Sequence, residues 1–514
     1  MDYDYQHNNK TIKSIWRSFS AGSDFPSQEQ SLSVDVAVIG GGITGITTAQ
    51  LLKESGYKVA VIEALKVGGG STGHSTGNLY IAVEEGFDRI QSKYDTETLK
   101  TVVEARGSAM ALIENNINRY SIDCDYKKQP WYLFSSNDES EERIDKVLQA
   151  ARDAGINAEE VDKGELPFKV QHGVKIKNQA QFNPLRYVQQ LAKHIASDNC
   201  IILENTRVVT IDEEDEDCIR LETDRGNVHA KYVVHATHTP KGNLFDFHSV
   251  LGTYREYGIA VKLASGNYPQ GIFWGYYNEN ERFSIRSYTH EGSNFLLAVG
   301  QPHRVGQQED NEENIKNLEK FLAERFDVDE VTNRWGGQNY KPADLLPYIG
   351  RKSKGSNIFI ATGFSTDGLV WGVVSAMLIN DLVNGNETKY TKLFDASRHN
   401  VLKAAGNFVK ENISNAGEIL RDYIFISDTK AGDIPIGEGK VIDVEGKKVA
   451  VFHDDSGNVK ACSAICTHMG CVVHWNKAEK TWDCPCHASR FDTDGCIIEG
   501  PALKPLEQVT VKES

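Results

Sequence analysis

The sequence predicts an α/β domain followed by a small all-β domain. Three observations carry this prediction. First, an apolar strand-like run at residues 34–39 leads through glycines into a helical stretch ending near residue 55. A second strand-like run follows at 58–62, which makes a βαβ start. Second, from about residue 421 the texture changes to short β-type runs, 440–444 and 448–452, separated by Gly and Asp turns. Third, six of the nine cysteines fall between Cys462 and Cys496, inside that second texture.

Taken in order, residues 1–33 are polar with scattered aromatics (Trp16, Phe19, Phe25) and read as an arm packed on the first domain. The main body spans 34–395. Toward its end lies another buried strand, 357–361, then a glycine turn and a long apolar helix. Residues 396–420 carry Val401, Leu402, Ala405, Phe408, Val409 and Ile413 at helical spacing and predict a linking helix. The all-β domain takes 421–514. A chain of 514 residues exceeds a single core. Its net charge of −16 argues against binding a phosphate backbone, so no nucleic-acid partner is expected. The acidic run 212–217 reads as a solvated hairpin or loop. The most apolar run, 369–379, is too short to span a bilayer, so no integral membrane segment is expected. The first residues show neither a basic region nor an apolar signal core, and a cytoplasmic protein is expected.

Gly40-Gly-Gly42-Ile-Thr-Gly45 follows the first strand and opens the helix, and Glu63 ends the next strand. Glycines let a pyrophosphate approach backbone at a helix N-terminus, and an acidic residue there accepts bonds from ribose hydroxyls. The bland reading is a glycine-rich structural turn. The motif alone does not choose between FAD and NAD. No second such motif follows a strand, so the two-unit plan of an NAD(P)H-oxidising flavin reductase is not seen.

The cysteine cluster reads Cys466-Thr-His468, then fifteen residues, then Cys484-Pro-Cys486-His487. Two thiolates on one iron and two neutral imidazoles on the other would make a [2Fe–2S] centre that is easier to reduce than an all-cysteine one. A structural zinc site is the alternative. Zinc usually takes pairs with other spacings, and it would leave Cys471 and Cys486 without a role.

The two loops, CTHMGC and CPCHAS, resemble the Rieske proteins of quinol-oxidising cytochrome complexes over residues 430–510 or so. The resemblance implies ligation by Cys466, His468, Cys484 and His487 and a Cys471–Cys486 disulfide tying the loops together. It implies that Gly500-Pro501-Ala502 covers the cluster and that Ser489 bonds a bridging sulfide. Phe491 departs from the family, which commonly has a tyrosine there bonding a ligand sulfur. Loss of that donor should lower the potential. A Rieske oxygenase is disfavoured, because the preceding domain is not of the mononuclear-iron kind and the domain order is wrong.

The body from about 33 to 390 resembles the D-amino acid oxidase superfamily: glycine oxidase, sarcosine oxidase and dimethylglycine dehydrogenase. The matching segments are residues 70–77 (Thr72, His74, Ser75 and Thr76), 231–237 ending at Thr237 with Val208 on the adenine side, and 357–372 with Gly363 and Gly368. This implies a Rossmann-type FAD-binding domain with an inserted α+β substrate domain, in segments of about 85–180 and 245–335. In dimethylglycine dehydrogenase-like relatives a histidine at the place of His74 bonds covalently to the flavin. The alternative is that His74 only hydrogen-bonds or packs near the ring. Sarcosine oxidase-like members bind substrate carboxylate with a lysine where this chain has Val370, which puts an N-methyl amino acid held that way in doubt.

The expected function is an FAD-dependent oxidoreductase acting on the C–N bond of a small amine or amino acid. Flavin N5 would carry the chemistry, and no catalytic side chain is singled out. Electrons would pass to the cluster and on to an external acceptor, a carrier protein or a quinone. Alternatives are a reductase running in the opposite direction, or a redox sensor or adaptor without turnover. Tyr254, Arg255, Tyr257, Trp274, Tyr276, Arg286, Tyr288 and His303 are the candidates for a substrate pocket, with two or three expected to face the flavin.

Overall fold

The computed structural model describes residues 12–137, 141–161, 170–215, 218–242, 244–277, 282–308, 310–398 and 429–511. The first sheet has the order Tyr348–Arg351, Ile358–Thr362, Gly226–His235, Leu32–Ile39, Val59–Ile62, Cys200–Leu203. Its five inner and far strands run parallel, and Tyr348–Arg351 closes one edge antiparallel. Strands covered on both faces read as continuous apolar runs: Val59–Ile62 is buried throughout, with Val59 and Val61 packed among the helices and Ala60 and Ile62 in a cluster with Val208, Ile219 and Leu221, and Ile358–Thr362 is buried throughout as well. The helices Ile43–Glu54 and Gly368–Val383 lie against each other on one face. A side chain at Gly372 would meet Thr44 Oγ1 at 2.4 Å, so glycine sets how closely they approach. The acidic run falls on a hairpin of Val208–Asp215 with Cys218–Thr223, and residues 216–217 lie outside the described part.

A second sheet of nine strands runs Val328–Pro342, Leu251–Leu263, Ser293–Arg304, Arg282–His290, Ile272–Tyr276, Lys127–Ser135, His172–Gln181, Asn78–Leu79, with Ala158–Val161 off the path. It draws on both segments expected for the substrate domain. The N-terminal arm packs inward: Trp16 is fully buried, and its indole N–H donates to Ser75 O at 2.7 Å. The expected linking helix lies outside the described residues except Ala396–Arg398, which form a 3₁₀ turn. Among the described residues, no helix is long and apolar enough to cross a membrane.

The C-terminal domain is all-β. Gly439–Val444, Lys447–His453 and Val459–Ser463 form one antiparallel sheet; His474–Asn476, Thr481–Asp483, Arg490–Phe491 and Ile497–Glu499 form another. This domain is seated on the first through a buried charge network. Arg255, 3% exposed, donates through Nε and Nη2 to Glu479 and through Nη1 to Glu499 at 3.2 Å. Arg490 bonds Asp483 at 3.0 Å and Glu499 at 2.7 Å and lies 3.2 Å from Glu479. Burial alone would push Glu499 up, but the two guanidiniums hold it near 2. Removing one partner from such a network strands the others without water. Arg255→Ala is therefore expected to cost about 3–5 kcal/mol and to split one cooperative unfolding transition into two. Calorimetry checks this, and an unchanged single transition would show that the domains are joined by other means.

Candidate redox site

A cavity lies at the C-terminal ends of the parallel strands. The glycine turn shapes its floor. Gly40 has φ 106°, and a side chain there would meet Ala236 O at 2.5 Å. A side chain at Gly45 would stand 1.9 Å from Gly40 O, so the helix can start only against a bare backbone. Glu63 accepts from the N–H of Gly41 and of Leu65, both at 2.7 Å. Burial raises its carboxyl above the usual range despite those bonds. Thr72 Oγ1 accepts from Ile43 N at 3.0 Å and ties the 70–76 loop to the helix start. Of the residues expected to bind cofactor, Gly40, Gly42, Glu63, Thr72, His74, Ser75, Thr76, Val208, Thr237 and Gly368 line the cavity. Gly45 and Gly363 stand behind it, where Gly363 (φ 77°) shapes the turn before the long helix.

His74 is half-buried, its open side facing the cavity. Its Nδ1 bonds Gly70 O at 2.8 Å, and burial lowers its pKa to about 4, so the ring is neutral at pH 7.

At the other end the second sheet closes the cavity with Tyr80, Glu256, Trp274, Arg282, Phe283 and Trp335. Of the eight substrate-pocket candidates only Trp274 is there. Tyr257 stacks on His303, Arg286 donates to Gly77 O at 2.6 Å, Tyr288 donates to Asp125 at 2.7 Å, and Arg255 faces the C-terminal domain. Sequence reading singled out Arg255 and Tyr257 and stepped over Glu256 between them. Strand alternation was the available signal: residues either side of Glu256 point to the opposite face. The register, however, could not be read without the partner strands.

In the C-terminal domain the two cysteine–histidine loops meet. Cys471 and Cys486 are joined in a disulfide, Cα to Cα 6.6 Å. Cys484 Sγ lies within 4.8 Å of both sulfurs but remains a thiol. Cys466 and Cys484 are hydrogen-bonded to each other, and with help from Ser489 this draws Cys466 down to about 7. The rings of His468 and His487 lie 5.0 Å apart. Burial lowers them to about 4 and about 3, which keeps both neutral, the form that binds metal. His468 Nε2 and His487 Nδ1 are buried with no hydrogen-bond partner among the described residues. Two hydrogen-bonded thiols and two neighbouring imidazoles, each with an orphaned ring nitrogen, are the donor set of a [2Fe–2S] cluster. Ser489 Oγ accepts from Ala502 N at 3.2 Å, which ties the 500–502 segment to the second of the two loops. Phe491 is fully buried and pairs with Trp482 across the sheet.

The two sites share a wall. Ile498, Glu499, Gly500, Ala502 and Leu503 line the glycine-motif cavity from the side of the C-terminal domain. Gly242 N donates to Pro501 O at 3.0 Å, Lys241 Nζ to Gly500 O, and Gln338 Nε2 to Ala488 O at 3.0 Å. The first domain's His248, 3% exposed, abuts both imidazoles, 4.7 Å from His468 and 5.7 Å from His487 by ring centres.

A cavity floored by a dinucleotide-type glycine turn and a separate cysteine–histidine loop pair define a protein with two cofactor sites. Comparison places it further. Residues 35–382 match the family of FAD dependent oxidoreductases known as DAO, and residues 425–510 match the Rieske [2Fe-2S] domain. The chain belongs to the DAO family of FAD dependent oxidoreductases, with a C-terminal Rieske domain; FAD and a [2Fe–2S] cluster are its cofactors. Bacillus subtilis YhfW, named for a Rieske 2Fe-2S iron-sulfur protein, is 29% identical over 505 residues, covering 97% of each chain. The gamma-glutamylputrescine oxidoreductase of Escherichia coli is 24% identical over 71% of this chain and 87% of its own. The glycine oxidase of Geobacillus kaustophilus superposes with a TM-score of 0.58 at 20% identity, over 72% of this chain and 99% of its own. The match to a Rieske domain removes the zinc reading.

The Gly45 contact has a direct consequence. Gly45→Ala is expected to yield folded protein with little flavin, because the added methyl can be housed only by moving Gly40. Flavin absorbance per chain measures this, and full occupancy in the variant would contradict it.

Proposed function

We propose that the chain oxidises a small amine or amino acid at a C–H bond beside nitrogen. The electrons pass through a Rieske cluster held by Cys466, His468, Cys484 and His487 to an external acceptor, a carrier protein or quinone. When bound, FAD supplies an N5 that accepts a hydride, leaving an imine that water hydrolyses, and the cluster supplies a one-electron carrier. The protein supplies position. The backbone around Gly40 and Gly42 cradles the pyrophosphate, Glu63 takes the ribose, and the 70–76 loop borders the ring end. Cys466 and Cys484 offer thiolates, and burial keeps His468 and His487 neutral as their partners.

The shared wall carries this reading. Residues 498–503 border the flavin cavity on one side, while Gly500 packs on Ala488 and Ser489 beside the cluster loops on the other. An electron can cross a few residues of packed backbone without leaving the protein. The named activity of the Escherichia coli relative supports an amino compound as donor. Buried Cys124 and Cys200 carry no disulfide, which suits a cytoplasmic setting.

Two half-reactions should separate. With an amine that bleaches the flavin anaerobically, Cys484→Ala is expected to lose the Rieske EPR signal and keep both its FAD and the rate of flavin reduction. Reoxidation by ferricyanide should slow several-fold. Stopped-flow on both proteins reads this. Equal reoxidation with every acceptor tried would remove the cluster as an electron exit, and a surviving Rieske signal would remove the ligand assignment.

A further inference from the structure

We propose that Glu256 anchors a substrate cation: the cavity takes an organic ammonium ion, an alkylated amine, and does not rely on a substrate carboxylate. The proposal rests on the reading above only in taking this end of the cavity as the substrate site.

Glu256 lies on Leu251–Leu263 where pairing with Ser293–Arg304 slips between Arg255 and Tyr257. Gln301, opposite the slip, has φ 58°. Such bulges re-aim side chains and are common beside active sites. Here Glu256 lines the cavity, and among the described residues its carboxylate makes no hydrogen bond or ion pair. The neighbouring cations are committed. Arg282 donates to Glu84 O at 3.1 Å and to Glu84 Oε1 at 3.0 Å, with its guanidinium over the Trp274 ring at 5.2 Å. Lys341 holds the same Glu84 Oε1 at 2.6 Å. Deeper in, Arg106 faces Asp367 at 3.6 Å, both fully buried.

An arriving carboxylate would therefore have to displace Glu84 from two cations, whereas an arriving cation meets a carboxyl group that these cations do not contact. Burial, with Glu84 adding to it and Lys341 and Arg282 opposing, raises Glu256 to about 7, so near neutral pH it is part acid and part carboxylate, and a bound cation would draw it to the carboxylate. Aromatic rings share this wall with small and polar residues such as Ser284, Gln338 and Asn339. Tyr80 and Trp274 meet edge to face at 5.1 Å, and Phe283 and Trp335 complete the lining. Ring faces attract alkylated ammonium ions, and a desolvated carboxylate strengthens that attraction.

The test uses holoprotein and non-reacting probes. Tetramethylammonium has no nitrogen lone pair and cannot be oxidised by hydride loss; acetate is the matching carboxylate. Each is titrated while the flavin absorbance is followed. Tetramethylammonium should perturb the spectrum saturably in wild type, and more tightly than acetate. Glu256→Gln should weaken it by on the order of ten-fold or more, as loss of a buried charge partner does. Glu256→Asp should retain part of the affinity, with flavin content and circular dichroism checking that both variants fold. Equal affinity in wild type and Glu256→Gln, tighter binding of acetate, or no perturbation by tetramethylammonium would each overturn the proposal. Because binding needs no turnover, the two readings fail separately. Cation binding lost in Glu256→Gln with no amine oxidised would sink the oxidase reading alone. Amine oxidation with a cation site indifferent to Glu256 would sink this one alone.

Discussion

The buried ion network at the domain junction is what the arrangement of the two redox sites depends on. Arg255 comes from the first domain, while Arg490, Glu479, Glu499 and Asp483 come from the second. Taking charges out of water is expensive, and apolar residues could have closed the same surface at less cost. What the guanidinium forks add is register. Arg255 grips Glu479 with two nitrogens and Glu499 with a third, so the domain can neither slide nor rotate without leaving a buried charge unpaired. With this register held, residues 498–503 border the flavin cavity and the two imidazoles lie against His248.

Gly500 makes that wall thin. Its φ of 96° is in the region that favours glycine, and any side chain would meet Ala488 O at 2.4 Å and Ser489 Cα at 2.5 Å. A bulkier residue would lift the 500–502 segment off the cluster loop and push it into the cavity. Lys241 and Gly242, donating to the carbonyls of Gly500 and Pro501, fix the other side of the same segment. Backbone held this way leaves only a thin layer between the cavity and the cysteine–histidine loops.

Much of this was legible in the sequence, for identifiable reasons. The glycine turn, Glu63 and the cluster loops are local: their chemistry is set by spacing within a few residues, and the structure brings each set together. The Cys471–Cys486 pairing came from resemblance and is present. The cavity wall made by the second sheet was not legible. Its members, Tyr80, Glu256, Trp274, Arg282 and Trp335, come from five separate stretches of chain, and which face of each strand looks inward depends on partners far away. Arg255 was marked for the substrate and instead serves the interface. An arginine beside a glutamate on a strand, with a tyrosine at each end of the pair, carries no sign of which face it takes. His248 carried no motif, since its meaning comes only from docking.

The strand Leu251–Leu263 turns that uncertainty into a structural link. Its alternation sends Arg255 toward the Rieske domain and Glu256 toward the cavity. A strand in the middle of a sheet, paired along most of its length with Val328–Pro342 on one side and Ser293–Arg304 on the other, is stiff. The arginine that seats the iron–sulfur domain and the side chain that lines the cavity are therefore consecutive residues on one rigid element. A strain that loosened the docking would be felt one residue away at the cavity wall, and a ligand pressing on that wall would bear on the docking.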